Sequence, residues 1–65
     1  MSPRETNLLW LKDMLEQLTA SQQRLQWAED PATVEVLTAA MIRDLDCCRR
    51  LCESLRRRAA VRQMA

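Results

Sequence analysis

LQWAEDPATV, residues 25–34, holds the one place inside this chain where a helix has to stop. Glu29-Asp30-Pro31 reads as a helix start, with Asp30 as the cap and Pro31 in the first helical position. Pro31 also disfavours helix at Asp30, so a helix arriving from the N-terminal side ends near Ala28 or Glu29. There is no glycine, and the only other proline is Pro3. A connection this short between two helices predicts an antiparallel hairpin.

The first helix has its own start signal. Ser2-Pro3-Arg4-Glu5 is a capping box: Ser2 is placed to accept from the Glu5 amide, and Glu5 to reach back to the Ser2 amide. We read helix 1 as about 3–28 and helix 2 as about 31–61, an all-α arrangement in a single domain spanning 1–65.

Heptad spacing supports both helices. In helix 1, Leu8, Leu11, Leu15, Leu18, Gln22 and Leu25 recur at steps of 3 and 4. In helix 2, Val34, Thr38, Met41, Leu45, Cys48, Cys52, Leu55 and Ala59 do the same. Folding at Asp30 places opposite one another residues whose numbers sum to about 60. Gln22 then meets Thr38, and the pair is expected to form one buried polar layer that fixes register. A second apolar flank runs beside each seam: Met14, Ser21 and Ala28, with Trp10 close by, and Leu37 and Leu51, interrupted by Asp44.

The apolar stripe is therefore wider than one partner helix needs. A lone two-helix hairpin of 65 residues also buries too little surface to stand without a staple. Both points predict a homodimer closing into a four-helix bundle. Its expected core is Leu8, Leu11, Leu15, Leu18, Leu25, Val34, Met41, Leu45, Cys48, Cys52 and Leu55. Leu9 and Trp27 point away from both seams and are the candidate anchors for a protein partner.

Composition narrows the function. Apolar residues make up 48% of the chain, with little Val or Ile, which favours helix over both sheet and disorder. The longest strictly apolar runs are four residues, Leu8 to Leu11 and Ala39 to Ile42, against roughly 20 for a membrane span. The N-terminal MSPRETN has no apolar signal core. Three cysteines make an odd count and a poor disulfide framework. A complete small cytoplasmic protein without a membrane partner is the expectation. With no histidine, no glycine-rich loop and no nucleophile beside a base, enzymatic chemistry and a cofactor are not expected.

Charge is uneven. Residues 1–30 carry three basic against five acidic side chains; residues 31–65 carry seven against four. LDCCRRLCESLRRR, residues 45–58, contains all three cysteines and five of the ten basic residues. Asp46 precedes Arg50 by four, Arg49 precedes Glu53 by four, and Glu53 precedes Arg57 by four, which predicts helix-stabilising pairs on a solvated face. That leaves Arg56, Arg58 and Arg62 unpaired; with Arg57 they form a basic last turn expected to project past the start of helix 1. This turn is the candidate site for nucleic acid, the alternative to a protein partner.

Cys48 and Cys52 share a helix face and are the candidate ligands for a soft ion such as Cu(I); otherwise they fill the seam as small hydrophobes. Cys47 faces away from the seam centre. The CxxxC spacing of Cys48 and Cys52 resembles that of the helical copper storage proteins, and what that resemblance implies is Cu(I) held by thiolate pairs. The capped first helix, the corner at Asp30 and the second helix resemble, in length and periodicity, the plasmid-encoded ROP hairpins. That resemblance implies an antiparallel four-helix dimer contacting RNA through helix 1 polar residues; here helix 1 is net acidic, with Lys12, Arg24 and several glutamines available.

Overall fold

The computed structural model describes residues 2–64, with side chains through residue 61. It is an all-α two-helix hairpin: α1 is Pro3–Trp27 and α2 is Pro31–Met64. No strand occurs among the described residues.

Both starts form where the caps place them. The Glu5 amide donates to Ser2 Oγ at 3.2 Å, and the Thr6 amide donates to the Ser2 carbonyl at 3.0 Å. Only half of the expected capping box is made: among the described residues, Glu5 sends no bond back to the Ser2 amide. At the corner, the Thr33 amide and hydroxyl both donate to Asp30 Oδ2 at 2.9 Å. The Val34 amide closes the first turn on the Asp30 carbonyl. Ala28 is extended, φ −75° and ψ 127°, and its amide donates to the Leu25 carbonyl. Helix 1 thus stops at Trp27, one residue short of the expected boundary, with Ala28 already out of the helical region. Helix 2 runs to Met64, three residues beyond expectation, as nothing in its last turns breaks it.

The hairpin is long and thin, 53 × 19 × 13 Å. Its interior is slight: Cys48 and Leu51 are the only buried apolar side chains among those described, and Ser21 is the only buried polar one. The columns that turn toward the partner helix are Met14, Ser21 and Ala28 together with Leu11, Leu18 and Leu25 on α1. On α2 they are Val34, Met41, Cys48 and Leu55 together with Leu37, Asp44 and Leu51. The flank residues Met14, Ser21, Ala28, Leu37 and Leu51 have therefore joined half of the expected seam, and the other half has turned outward. Leu8, Leu15 and Gln22, placed at the centre by the heptad reading, are exposed, and so are Leu45, Cys52 and Ala59. Small side chains at Ser21 and Ala28 let the helices approach, whereas leucine at every central position would hold them apart.

The expected Gln22–Thr38 layer is absent from the hairpin interior. Gln22 is exposed, and the Thr38 hydroxyl donates within its own helix to the Val34 and Glu35 carbonyls at 2.7 and 3.1 Å. The one side-chain hydrogen bond between the helices, among the described residues, runs from Asn7 Nδ2 to Ser54 Oγ at 3.4 Å.

Candidate interaction surface

The exposed apolar columns lie on one face of the hairpin. Leu8 lines a common hollow with Leu55 and Ala59. Residues seven apart share a line along a coiled helix, so Leu15 and Gln22 continue the row from Leu8, while Cys52, Leu45 and Thr38 continue the row from Ala59. Two rows thus run side by side from the open end to the corner. Leu15 is 52% exposed and Leu45 is 55% exposed. Leu8, Leu11 and Leu15 form a shallow apolar hollow bordered by Lys12, Glu16 and Thr19. Ile42, three residues before Leu45, widens the same face on its outer side and is also exposed. The heptad reading missed Ile42; the run Ala39 to Ile42 carried the available signal.

The total accessible surface is large for the mass. A folded monomer of 7.6 kDa exposes about 4,300 Å². This hairpin exposes 5422 Å². The excess, roughly 1,100 Å², is spread over a long, thin chain, 53 × 19 × 13 Å.

The outer face of α2 is a lattice of ions. Arg49 bridges Asp46 at 3.0 Å and Glu53 at 2.8 Å, and Arg50 pairs with Asp46 at 2.9 Å. The hydrogen bond from Arg49 holds Asp46 below its ordinary carboxylate value and raises the guanidinium of Arg49 in turn. The expected Glu53–Arg57 pair is not formed; Glu53 turns back to Arg49 instead. Arg56, Arg57 and Arg58 are exposed and make no ion pair with the described residues. Arg57 and Arg58 lie beside Ser2, Pro3, Arg4 and Glu5, so the basic turn flanks the start of α1 rather than projecting past it. The side chain of Arg62 lies outside the described residues.

The thiols separate by environment. Cys48 is buried in the interhelical seam, Cys47 is half-buried, and Cys52 is exposed on the outer row; all three are free. Burial pushes the Cys48 thiol above its ordinary value, assisted by Cys47, Cys52 and Asp44 nearby. No group of three or more potential metal ligands exists among the described residues. Nor is any described helix long and apolar enough to cross a membrane.

At the corner, Trp27 is 80% exposed and borders a hollow with Arg24, Glu29, Asp30, Thr33 and Leu37. Leu9 is also exposed, on the opposite stretch of α1. Neither touches the leucine rows by sequence position: each is off the seven-residue line that links Leu8, Leu15 and Gln22. No protein-family model, no curated protein and no solved structure matches this chain.

Proposed function

We propose that this chain is a small non-enzymatic interaction protein that works as a homodimer, its leucine rows forming the core of a four-helix bundle. The supporting observation is the pair of adjacent apolar rows left open to water on one face. With two buried apolar side chains among the described residues, the interior is too small to hold two helices of this length by itself. Closing the rows on a second copy supplies the missing burial and leaves the ion lattice, Leu9 and Trp27 on the outside as docking surface for a further protein. Three free thiols suit the reducing cytoplasm.

Light scattering over a dilution series, with reductant present, tests this. A mass of two chains down to low micromolar concentration is the expected result. A single-chain mass with full helicity would sink the proposal, because the hairpin would then be stable without its rows covered.

A second reading is favoured by Arg56, Arg57 and Arg58, which are free of acidic partners among the described residues. On that reading the basic turn binds nucleic acid through phosphate contacts. Binding would then fall steeply with salt and weaken on Arg56→Ala, Arg57→Ala and Arg58→Ala. Absence of binding to mixed RNA and DNA at low salt removes it.

A further inference from the structure

The open rows are layered. The Asn7–Ser54 bond sets a register in which facing numbers sum to about 61, so Gln22 and Thr38 share the level near the corner, Leu15 and Leu45 the middle, and Leu8 and Cys52 the level toward the open end. One layer is polar and two are apolar, so the face is not symmetric end to end. A second copy can be laid on it face to face in two ways. With both corners at the same end, each layer meets its own kind, and α1 of one chain packs on α2 of the other. With the corners at opposite ends, α1 packs on α1, and Gln22 is buried against Leu8 of the other chain.

We infer that two copies of this chain pack with their corners at the same end, joined through a shared Gln22–Thr38 layer. The inference rests on the self-association proposed above. The chemistry of the layer fits. Each Thr38 hydroxyl already donates its proton within its own helix, so its oxygen is left as an acceptor. Each Gln22 side chain is exposed and carries two amide protons to donate. Gln22 of one chain and Thr38 of the other are therefore complementary. The head-to-tail alternative strips water from the Gln22 amide and offers a leucine in return, which costs the full desolvation of that group.

One effect opposes this packing. The corner carries Glu29, Asp30 and Glu35, and the open end carries Arg56, Arg57 and Arg58, so opposite ends attract. Those groups are all exposed, and exposed pairs are weak and screened by salt. The buried layer decides the orientation. Its consequence is a polarised assembly: two Trp27 side chains share one end, and two basic turns share the other.

The test uses the unmodified protein. Isotopically labelled and unlabelled chains are mixed, and only contacts between a labelled and an unlabelled chain are recorded by filtered nuclear Overhauser spectroscopy. Light scattering is run on the same sample. The expected interchain contacts are Gln22 to Thr38, Leu15 to Leu45, and Leu8 to Cys52. Contacts of Leu15 to Leu15 and Gln22 to Leu8, in a sample that scatters as a dimer, overturn the orientation and leave self-association standing. A single-chain mass overturns both.

Discussion

Two sets of columns run along this hairpin, and they differ in what they touch. The inner set, around Ser21, Cys48 and Leu51, is covered by the partner helix. The outer set, around Leu8, Leu15 and Leu45, is shorter, with two leucines and Gln22 on α1, and stands exposed. In a self-sufficient hairpin this outer set would be polar, whereas here Leu8, Leu15 and Leu45 face water. The contrast teaches that the inner columns hold the two helices of one chain together, while a second apolar face is left over and open to water.

The largest effect is expected from breaking the outer set. Leu15→Glu places two unpaired carboxylates in the middle of the proposed dimer core, each penalised by about 3 kcal/mol or more. No dimer should remain by light scattering at micromolar concentration, and helicity by circular dichroism should fall with it. Leu9→Glu is the control: off the row, it should change stability by less than about 0.5 kcal/mol. If Leu15→Glu leaves mass and helicity unchanged, the outer set is not an interface.

Breaking the inner set comes next. Leu51 is 8% exposed, and Leu51→Ala should cost about 3 kcal/mol of unfolding free energy in urea. The distinguishing feature is the concentration dependence. Leu51→Ala should weaken the fold of each chain while leaving a dimer detectable at high concentration, whereas Leu15→Glu abolishes the dimer throughout.

The thiols report on both sets at once. Cys48 belongs to the inner columns and Cys52 to the outer row, four residues away. Alkylation near pH 8, followed residue by residue by mass spectrometry, should find Cys48 slow at every protein concentration, because it is buried and its raised pKa leaves little thiolate. Cys52 should react readily in dilute solution and become protected as the chain is concentrated. Cys52 reacting at one rate across the dilution series would separate the outer row from any self-association.

Much of this was legible in the sequence. The Ser2 and Asp30 caps and the two prolines place both helices to within a few residues, since each is a local rule with no competitor nearby. Which apolar column turns inward was not legible. Leu8 and Leu15 are more hydrophobic than Ser21 and Ala28, so hydrophobicity alone centres the seam on them. Two adjacent apolar columns are what a bundle helix needs, one for each neighbour, and heptad spacing does not say which neighbour lies in the same chain. The Glu53–Arg57 pair failed for a related reason: Glu53 has an arginine four residues away on each side, and Arg49, already held by Asp46, is the one it meets.

The smallest effect expected is an acid-dependent one, and it sharpens the comparison by touching neither set of columns directly. Asp30 is held below its ordinary value, near 3.8, chiefly by the Thr33 hydroxyl and then by the Thr33 amide. A lowered folded pKa means that the unfolded chain takes up the proton first as pH falls. The stabilisation is therefore complete above the ordinary carboxylate range and is lost as pH drops through the lowered folded value. Asp46, lowered by Arg49, follows the same sign. Asp30 is exposed and Asp46 half-exposed on the solvated face, so each contribution is small and salt-sensitive. Their consequences differ in place. Loss of the Asp30 cap frays the first turn of α2, where Val34 and Leu37 enter the inner columns, so Asp30→Asn should flatten the acid dependence of the urea midpoint while keeping a cap. Asp46→Asn removes a bond on the solvated face, and its urea midpoint and dimer mass at neutral pH should stay close to those of the parent. An acid transition unchanged by Asp30→Asn but removed by Asp46→Asn would move the sensitive point from the corner to the ion lattice, and would tie the outer face of α2 to the packing beneath it.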